Sequence, residues 1–375
     1  MAPLPVDLAL LHELLDVEDH WPPIVLLRNA RAVRGHLPPL VLSVAELAGS
    51  AMGPGSRDEL RRMRDRAALY ERITADLDTV RGARVLKGPS LAARYPAGVL
   101  RPLGDLDVVV PDEAALWDAA RLVVRDWPVD ELDVSLLDDG GTRHLLVTLR
   151  WPAEDPMLDP EPKIEISTFA YPGEPGLVPM RATPPEDRLL ADVLALAEER
   201  FQRPFTAKDR LDLAVVLASA EAPVVALVAA AEHYHLAPEL LELCESVRTV
   251  PSLRARVPDE LTAALAGPAA RETDRRAAGG APDAPVEGRD GPAEGTEGPA
   301  WAGTSPEVAA ALAAGQPVHG LLLRRPEQPG PDLLSRTRTV GAGTLLATPI
   351  GDFLLVTGEL VDPEQYQAAL AALDD

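Results

Sequence analysis

VLKGPSLAARYPAGVLRPLGDLDVVV, residues Val85 to Val110, is the stretch whose reading decides the fold. It divides into an apolar strand at Val85–Leu86, a glycine turn, a helix over Ser90–Tyr95, a loop carrying Arg101, and a strand over Leu106–Val110 reached through two aspartates. Side chains alternate along a strand, so Asp105 and Asp107 share one face. Two carboxylates on one face repel each other unless a cation lies between them. Mg2+ suits that place, because it takes carboxylate oxygens together with substrate phosphates.

Outward from this stretch, the spacing predicts helices on the N-terminal side, residues 1–84, with proline-rich breaks. In RDELRRMRDRAALYERITADLDTV, Leu60, Met63, Ala67, Tyr70, Thr74 and Leu77 fall near one face, opposite an arginine-rich solvated one. GPGS at 53–56 has the composition of a phosphate loop but follows no strand, so it reads as an inter-helix turn. On the C-terminal side, Asp112–Arg125 reads as a helix with Leu116, Trp117, Ala120 and Val124 inward. DDGG at 138–141 is a hairpin turn, and His144–Trp151 and Lys163–Phe169 are strands.

Residues 171–266 read as a helical subdomain, with Leu190, Val193, Leu194, Ala197 and Phe201 in one apolar stripe and another helix starting at Thr206. Residues 267–304 are Gly, Ala, Pro, Asp and Glu with almost no large apolar side chains. Such a stretch cannot offset the entropy of ordering, and a disordered linker is expected. Residues 305–375 read as a small α+β module opened by a helix at Ser305-Pro306-Glu307. The expected fold class is α+β.

The 375 residues suffice for two or three domains, each with its own core. The net charge of -23 argues against a long nucleic acid as partner, since phosphate neutralisation needs a basic surface. A single cysteine, Cys244, excludes an internal disulfide and a multi-cysteine zinc site. No run of eighteen apolar residues and no signal-peptide pattern is present, so no membrane partner and a cytoplasmic location are expected. Of the 36 basic residues only three are lysines, Lys87, Lys163 and Lys208, and each adjoins a motif singled out here. Lysine and arginine differ wherever a compact ammonium is needed.

Four elements carry candidate chemistry. Lys87-Gly88-Pro89-Ser90 is a glycine turn between strand and helix. It is either a phosphate cradle of backbone N–H groups and a serine hydroxyl, or an ordinary capped turn. Asp105-Leu106-Asp107 is the carboxylate pair. In KIEIS, Ile164 and Ile166 face the core, leaving Lys163, Glu165 and Ser167 on the other face. Glu165 is either solvated or the third carboxylate of a metal site, if its strand lies beside that of the aspartates. In Lys208-Asp209-Arg210-Leu211-Asp212, Asp209 fits a capping partner of Thr206, and Asp212 is either solvated or part of the site. His144 opens a strand that could border a pocket, while His233-Tyr234-His235 reads as a surface pair and Trp151 as packing.

LKGPSLAARYPAGVLRPLGDLDVVV resembles the hallmark of the uncharacterised nucleotidyltransferase family in the DNA polymerase β superfamily. There a hydrophobic-Lys-Gly start is followed by a short helix with Tyr-Pro, an Arg, and D-[IL]-D before an apolar strand. KIEIS is similar to the strand that supplies the third carboxylate, and PFTAKDRLDLAVVLA to the K-D-x-x-D helix of related bacterial proteins. The resemblance spans roughly residues 60–220. The chain departs from the pattern in Pro89, which separates Gly88 from Ser90, and in Ser-Thr-Phe after Glu165, where the family more often has a histidine and an aromatic.

The resemblance implies a catalytic core over 85–170 with a small mixed sheet, Mg2+ or Mn2+ held by Asp105, Asp107 and Glu165, and NTP phosphates at Lys87, Gly88, Ser90 and Arg101. His144, Lys163, Lys208, Asp209 and Asp212 are then acceptor-side or supporting candidates. The implied activity moves a nucleoside monophosphate from an NTP, ATP among them, to a hydroxyl of a small molecule or protein. The competing classes are a non-catalytic accessory protein of the same fold in a biosynthetic pathway, and the toxin of a toxin–antitoxin pair.

Overall fold

The computed structural model describes residues 4–33, 36–219, 223–279, 303–358 and 361–373. In chain order the elements begin with α1 (Leu8–Leu14), α2 (Pro23–Ala32), α3 (Pro38–Leu47), α4 (Pro54–Leu77), β1 (Arg84–Leu86), α5 (Gly88–Ala92), β2 (Leu106–Val109) and α6 (Glu113–Asp126). Then come β3 (Glu131–Asp139), β4 (Thr142–Arg150), β5 (Lys163–Ser167), α7 (Arg188–Gln202), α8 (Ala207–Ser219), α9 (Val224–His233), α10 (Ala237–Arg248), α11 (Pro251–Arg254) and α12 (Asp259–Ala277). The chain ends with α13 (Pro306–Ala313), β6 (Val318–Arg324), β7 (Arg336–Val340), β8 (Gly343–Thr348), β9 (Gly351–Val356) and α14 (Pro363–Ala371). The architecture is mixed α+β.

The chain divides into two compact units. One comprises residues 1–72, 85–106 and 171–283, and the other 73–84, 107–170 and 284–375. The first is helical. Its α7 and α8 are buried on nearly every side, from Ala191 through Glu198 and from Leu211 through Ala218. The single stripe expected for α7 therefore understates its burial: helices pack around it, and Leu190 of the stripe is only half-buried. GPGS forms the start of α4, with Pro54 in the first turn, where its missing N–H costs no hydrogen bond.

Helix α12 runs to Ala277 with Gly267 and Pro268 inside it, so the first residues of the expected linker are helical. Pro268 removes one helical hydrogen bond. Burial of Leu261, Leu265 and Ala269 offsets that loss, as do the hydrogen bonds that Arg275 and Arg276 donate to Glu272. The linker residues 280–302 lie outside the described residues.

The nine strands form one sheet of order β1-β2-β5-β4-β3-β6-β9-β8-β7, and β3 to β9 belong to the second unit. β3 and β4 form an antiparallel hairpin pairing Asp139 with Thr142. Its two-residue turn is Gly140-Gly141, both at positive φ, the geometry that matches strand twist. The register continues with Thr148 opposite Glu165 between β4 and β5. α6 packs against β4 and β5. Asp112 caps it by accepting from Ala115 N at 2.9 Å, and Val123 rather than Val124 completes its buried face with Leu116, Trp117 and Ala120. The stretch 305–375, read from sequence as a module by itself, supplies four strands to this sheet: β6 pairs antiparallel with β3, Val134 opposite Gly320.

Candidate functional site

Burial alternates along β5, with Ile164 and Ile166 fully buried and Lys163, Glu165 and Ser167 half-buried. On β2, Leu106, Val108 and Val109 are buried and Asp107 is half-buried. The sheet order makes β2 and β5 neighbours, and Val110 N donates to Ser167 O at 2.9 Å. That adjacency is what a three-carboxylate site needs. Asp105, Asp107 and Glu165, all half-buried, each offer a carboxylate oxygen, and these oxygens lie within 4.8 Å of one another.

Two such charges at about 4 Å repel by about 1 kcal/mol in bulk water and about 4 kcal/mol at the effective dielectric of a protein surface. Lys163 offsets part of this, its Nζ lying 3.0 Å from Glu165 Oε1. The donors are hard carboxylate oxygens without histidine or thiolate, a set that suits Mg2+, Mn2+ or Ca2+ rather than zinc or copper. An ion about 2.1 Å from each ligand needs oxygens no more than about 4.2 Å apart, so shifts of a few tenths of an ångström close the site.

The glycine turn lies on the first unit. Lys87 adopts φ 53°, in the left-handed region that non-glycine residues avoid, and Gly88 follows at φ 42°. A Cβ built on Gly88 would lie 3.8 Å from the carbonyl oxygen of Asp105, so the turn passes beside the chain that leads into β2. Lys87 Nζ reaches Glu199 at 2.5 Å. Ser90 Oγ donates to Asp192 Oδ2 at 2.7 Å and accepts from Arg188 Nε at 2.6 Å. Burial pushes the Asp192 carboxyl up against the opposing pull of Ser90, Arg188 and Arg94.

Arg101 is placed differently from a phosphate ligand. It is 3% exposed, and its Nε and Nη2 each meet Asp212 at 2.8 Å, while Nη1 donates to Gly88 O at 3.3 Å. The guanidinium thus clamps the glycine turn to α8. Tyr95 donates to Asp212 Oδ1 at 2.6 Å, and Lys208 Nζ lies 3.3 Å from Oδ2. Burial alone would raise the Asp212 carboxyl, but the charges of Arg101 and Lys208 hold it at about 2. Burial, then Arg101, lowers the Lys208 ammonium.

Asp209 is the capping partner the spacing predicts. It accepts from Thr206 N at 2.7 Å and from both ends of the Arg203 fork at 2.6 and 3.0 Å. These contacts hold it below the usual carboxylate range despite burial. Lys208, Asp209 and Asp212 therefore belong to a packed network around the turn.

His144 joins neither group. It is buried on β4, with Nδ1 3.4 Å from Thr168 Oγ1 and its ring edge-on to Phe169. It lies four residues from Thr148, the partner of Glu165, which is roughly 13 Å along a strand. Burial lowers its pKa. Trp151 is buried, and His235 Nδ1 lies 3.1 Å from Glu272. Sequence reasoning passed over Asp192, Glu199 and Arg188 on α7, the partners of Ser90 and Lys87. The available signal was charge on an otherwise Ala- and Leu-rich helix, RLLADVLALAEER at 188–200.

No family model matches this chain, and no curated protein does. Among solved structures it is similar to the crystal structure of JHP933 from Helicobacter pylori, at 15% identity and a TM-score of 0.29, over 56% of this chain and 95% of that one. A similarity at that level carries no argument here. Among the described residues, no helix is long and apolar enough to cross a membrane.

Proposed function

We propose that this chain is a divalent-metal-dependent nucleotidyltransferase with a polymerase-β-type core, moving a nucleoside monophosphate from an NTP to a hydroxyl of a small molecule or protein. The observation that carries this reading is the convergence of Asp107 on β2, Asp105 just before it, and Glu165 on the neighbouring β5. These residues would hold Mg2+ or Mn2+, which when bound stabilises the attacking and leaving oxygens of an in-line displacement. Glu165 completes the site and helps to activate the acceptor hydroxyl. The strained Lys87-Gly88 turn presents backbone N–H groups to the β- and γ-phosphates, and Lys87 meets the charge that develops on pyrophosphate. Arg101 serves by holding that turn in place.

One observation favours a non-catalytic accessory protein: Lys87 and Ser90 are engaged by Glu199 and Asp192. An RNA-directed toxin draws less support, because three arginines on α4 meet carboxylates: Arg61 with Asp65 at 2.8 Å, Arg62 with Asp58, and Arg64 with Glu46. The test is incubation with Mg2+ and each labelled NTP, following pyrophosphate release and label transfer, self-labelling included. Signal that survives Asp105→Ala with Asp107→Ala sinks the assigned site. Absence of nucleotide binding, with or without Mg2+, supports the accessory reading.

A further inference from the structure

The second unit contains a cavity of about 740 Å³ between α6 and the connection from β6 to β7. Arg121, Arg125 and Arg325 line it, with Asp118, Glu327 and Gln328. Three guanidiniums thus line one cavity in a chain of net charge -23, in which described arginines such as Arg61, Arg101 and Arg181 are matched by carboxylates. Arg125 is so matched, by Asp126 at 2.6 and 2.8 Å. Arg121 is not: its Nε is buried and makes no hydrogen bond among the described residues. A buried donor left in that state costs roughly 1–3 kcal/mol. Among the described residues, Arg325 is anchored by one hydrogen bond, from Nη1 to Val129 O, which leaves Nε and Nη2 for another acceptor.

The cavity wall is fixed at both ends. Arg325 ties the start of the connection to Val129, and Ser335 ties its end to α6, donating from its backbone N to Glu113 Oε1 at 2.7 Å. Paired guanidiniums match the oxygens of a phosphate. Asp118 and Glu327 would repel a bare polyanion but accept hydrogen bonds from hydroxyls. The volume suits a small metabolite.

We propose that this cavity binds a phosphate ester of a small polyhydroxylated molecule, with the phosphate on Arg121 and Arg325 and hydroxyls on Asp118, Glu327 and Gln328. The site is separate from the carboxylate cluster and does not depend on its metal. The experiment titrates the full chain, in EDTA, with inorganic phosphate, ribose 5-phosphate and ribose, read by calorimetry. Ribose 5-phosphate is expected to bind more tightly than phosphate, and ribose not to bind. Arg325→Gln and Arg121→Gln should each weaken ribose 5-phosphate by about tenfold or more while leaving cooperative urea unfolding intact. Asp105→Asn with Asp107→Asn should leave it unchanged. The proposal is overturned if ribose 5-phosphate does not bind, if Arg325→Gln binds it as the parent does, or if the aspartate variant loses it.

Discussion

Two of the aspartate pairs in this chain, Asp209 with Asp212 and Asp105 with Asp107, have different surroundings. Asp209 and Asp212, on α8, are buried and supplied with cations by the fold itself: Arg203 for the first, Arg101 and Lys208 for the second. Asp105 and Asp107, leading into and on β2, remain half-buried and gather a third carboxylate, Glu165. Where the chain provides its own counter-charges, the acids join elements far apart in sequence. Where acids are gathered together, their hard oxygens are of the kind a divalent cation takes as ligands.

The largest effects come from breaking each pair in turn. Loss of the outer partners of metal ligands typically costs about 10–100-fold, so loss of two ligands costs more. Asp105→Asn with Asp107→Asn is expected to bring NTP-dependent pyrophosphate release to background. Mg2+ is expected to raise the melting temperature of the parent and not that of this variant, whose metal-free melting should stay cooperative. Asp212→Ala should do the reverse. It strands the buried charge of Arg101 and should cost about 3–5 kcal/mol in urea unfolding. A variant at Asp212 that lost activity at unchanged stability would make that residue part of the chemistry instead.

Much of this contrast was legible in the sequence, and the part that was not has a definite cause. Strand alternation and a glycine turn are local rules, so Asp105, Asp107 and the Lys87-Gly88 turn could be placed from the residues around them. The Thr206–Asp209 cap is local in the same way. Glu165 needed the pairing of β2 with β5, and no local pattern states which strand another will choose. The same gap left 305–375 looking separate, although β6 finds its partner in β3. Arg101 was expected at the NTP phosphates, and a guanidinium fork fits a carboxylate equally well. The carboxylate it takes, Asp212, lies 111 residues along the chain.

Acid sharpens the comparison next. Asp212 has a folded-state value of about 2, below the roughly 3.9 of an unfolded aspartate. Its contribution is therefore complete above about pH 4 and is lost as the pH falls toward 2, amounting to about 2 kcal/mol. The parent should lose that stability over this window in urea titrations, and Asp212→Asn should show a flatter profile. His144 acts at higher pH. Burial lowers its folded-state pKa below the unfolded value, so stability is full above about pH 6.5 and declines as the pH drops through the lowered value. His144→Gln should remove that decline without altering nucleotide transfer.

The smallest expected effect tests whether the gathered acids are an open site. Lys163 lies 3.0 Å from Glu165, close enough to place a positive charge beside the three carboxylates. At the pair's partial exposure its attraction is screened, and an ion pair of this kind is worth about 1 kcal/mol or less. A divalent ion entering the site must compete with it. Lys163→Met should therefore tighten Mn2+ binding by a few-fold, up to about fivefold for 1 kcal/mol, as read by paramagnetic titration. The equivalent change on α8, Lys208→Met, should leave Mn2+ affinity unaltered, because Asp212 keeps Arg101. If Lys163→Met instead weakens Mn2+, the lysine orients Glu165 rather than competing for it, and β5 presents a preorganised ligand that depends on its neighbour two residues away.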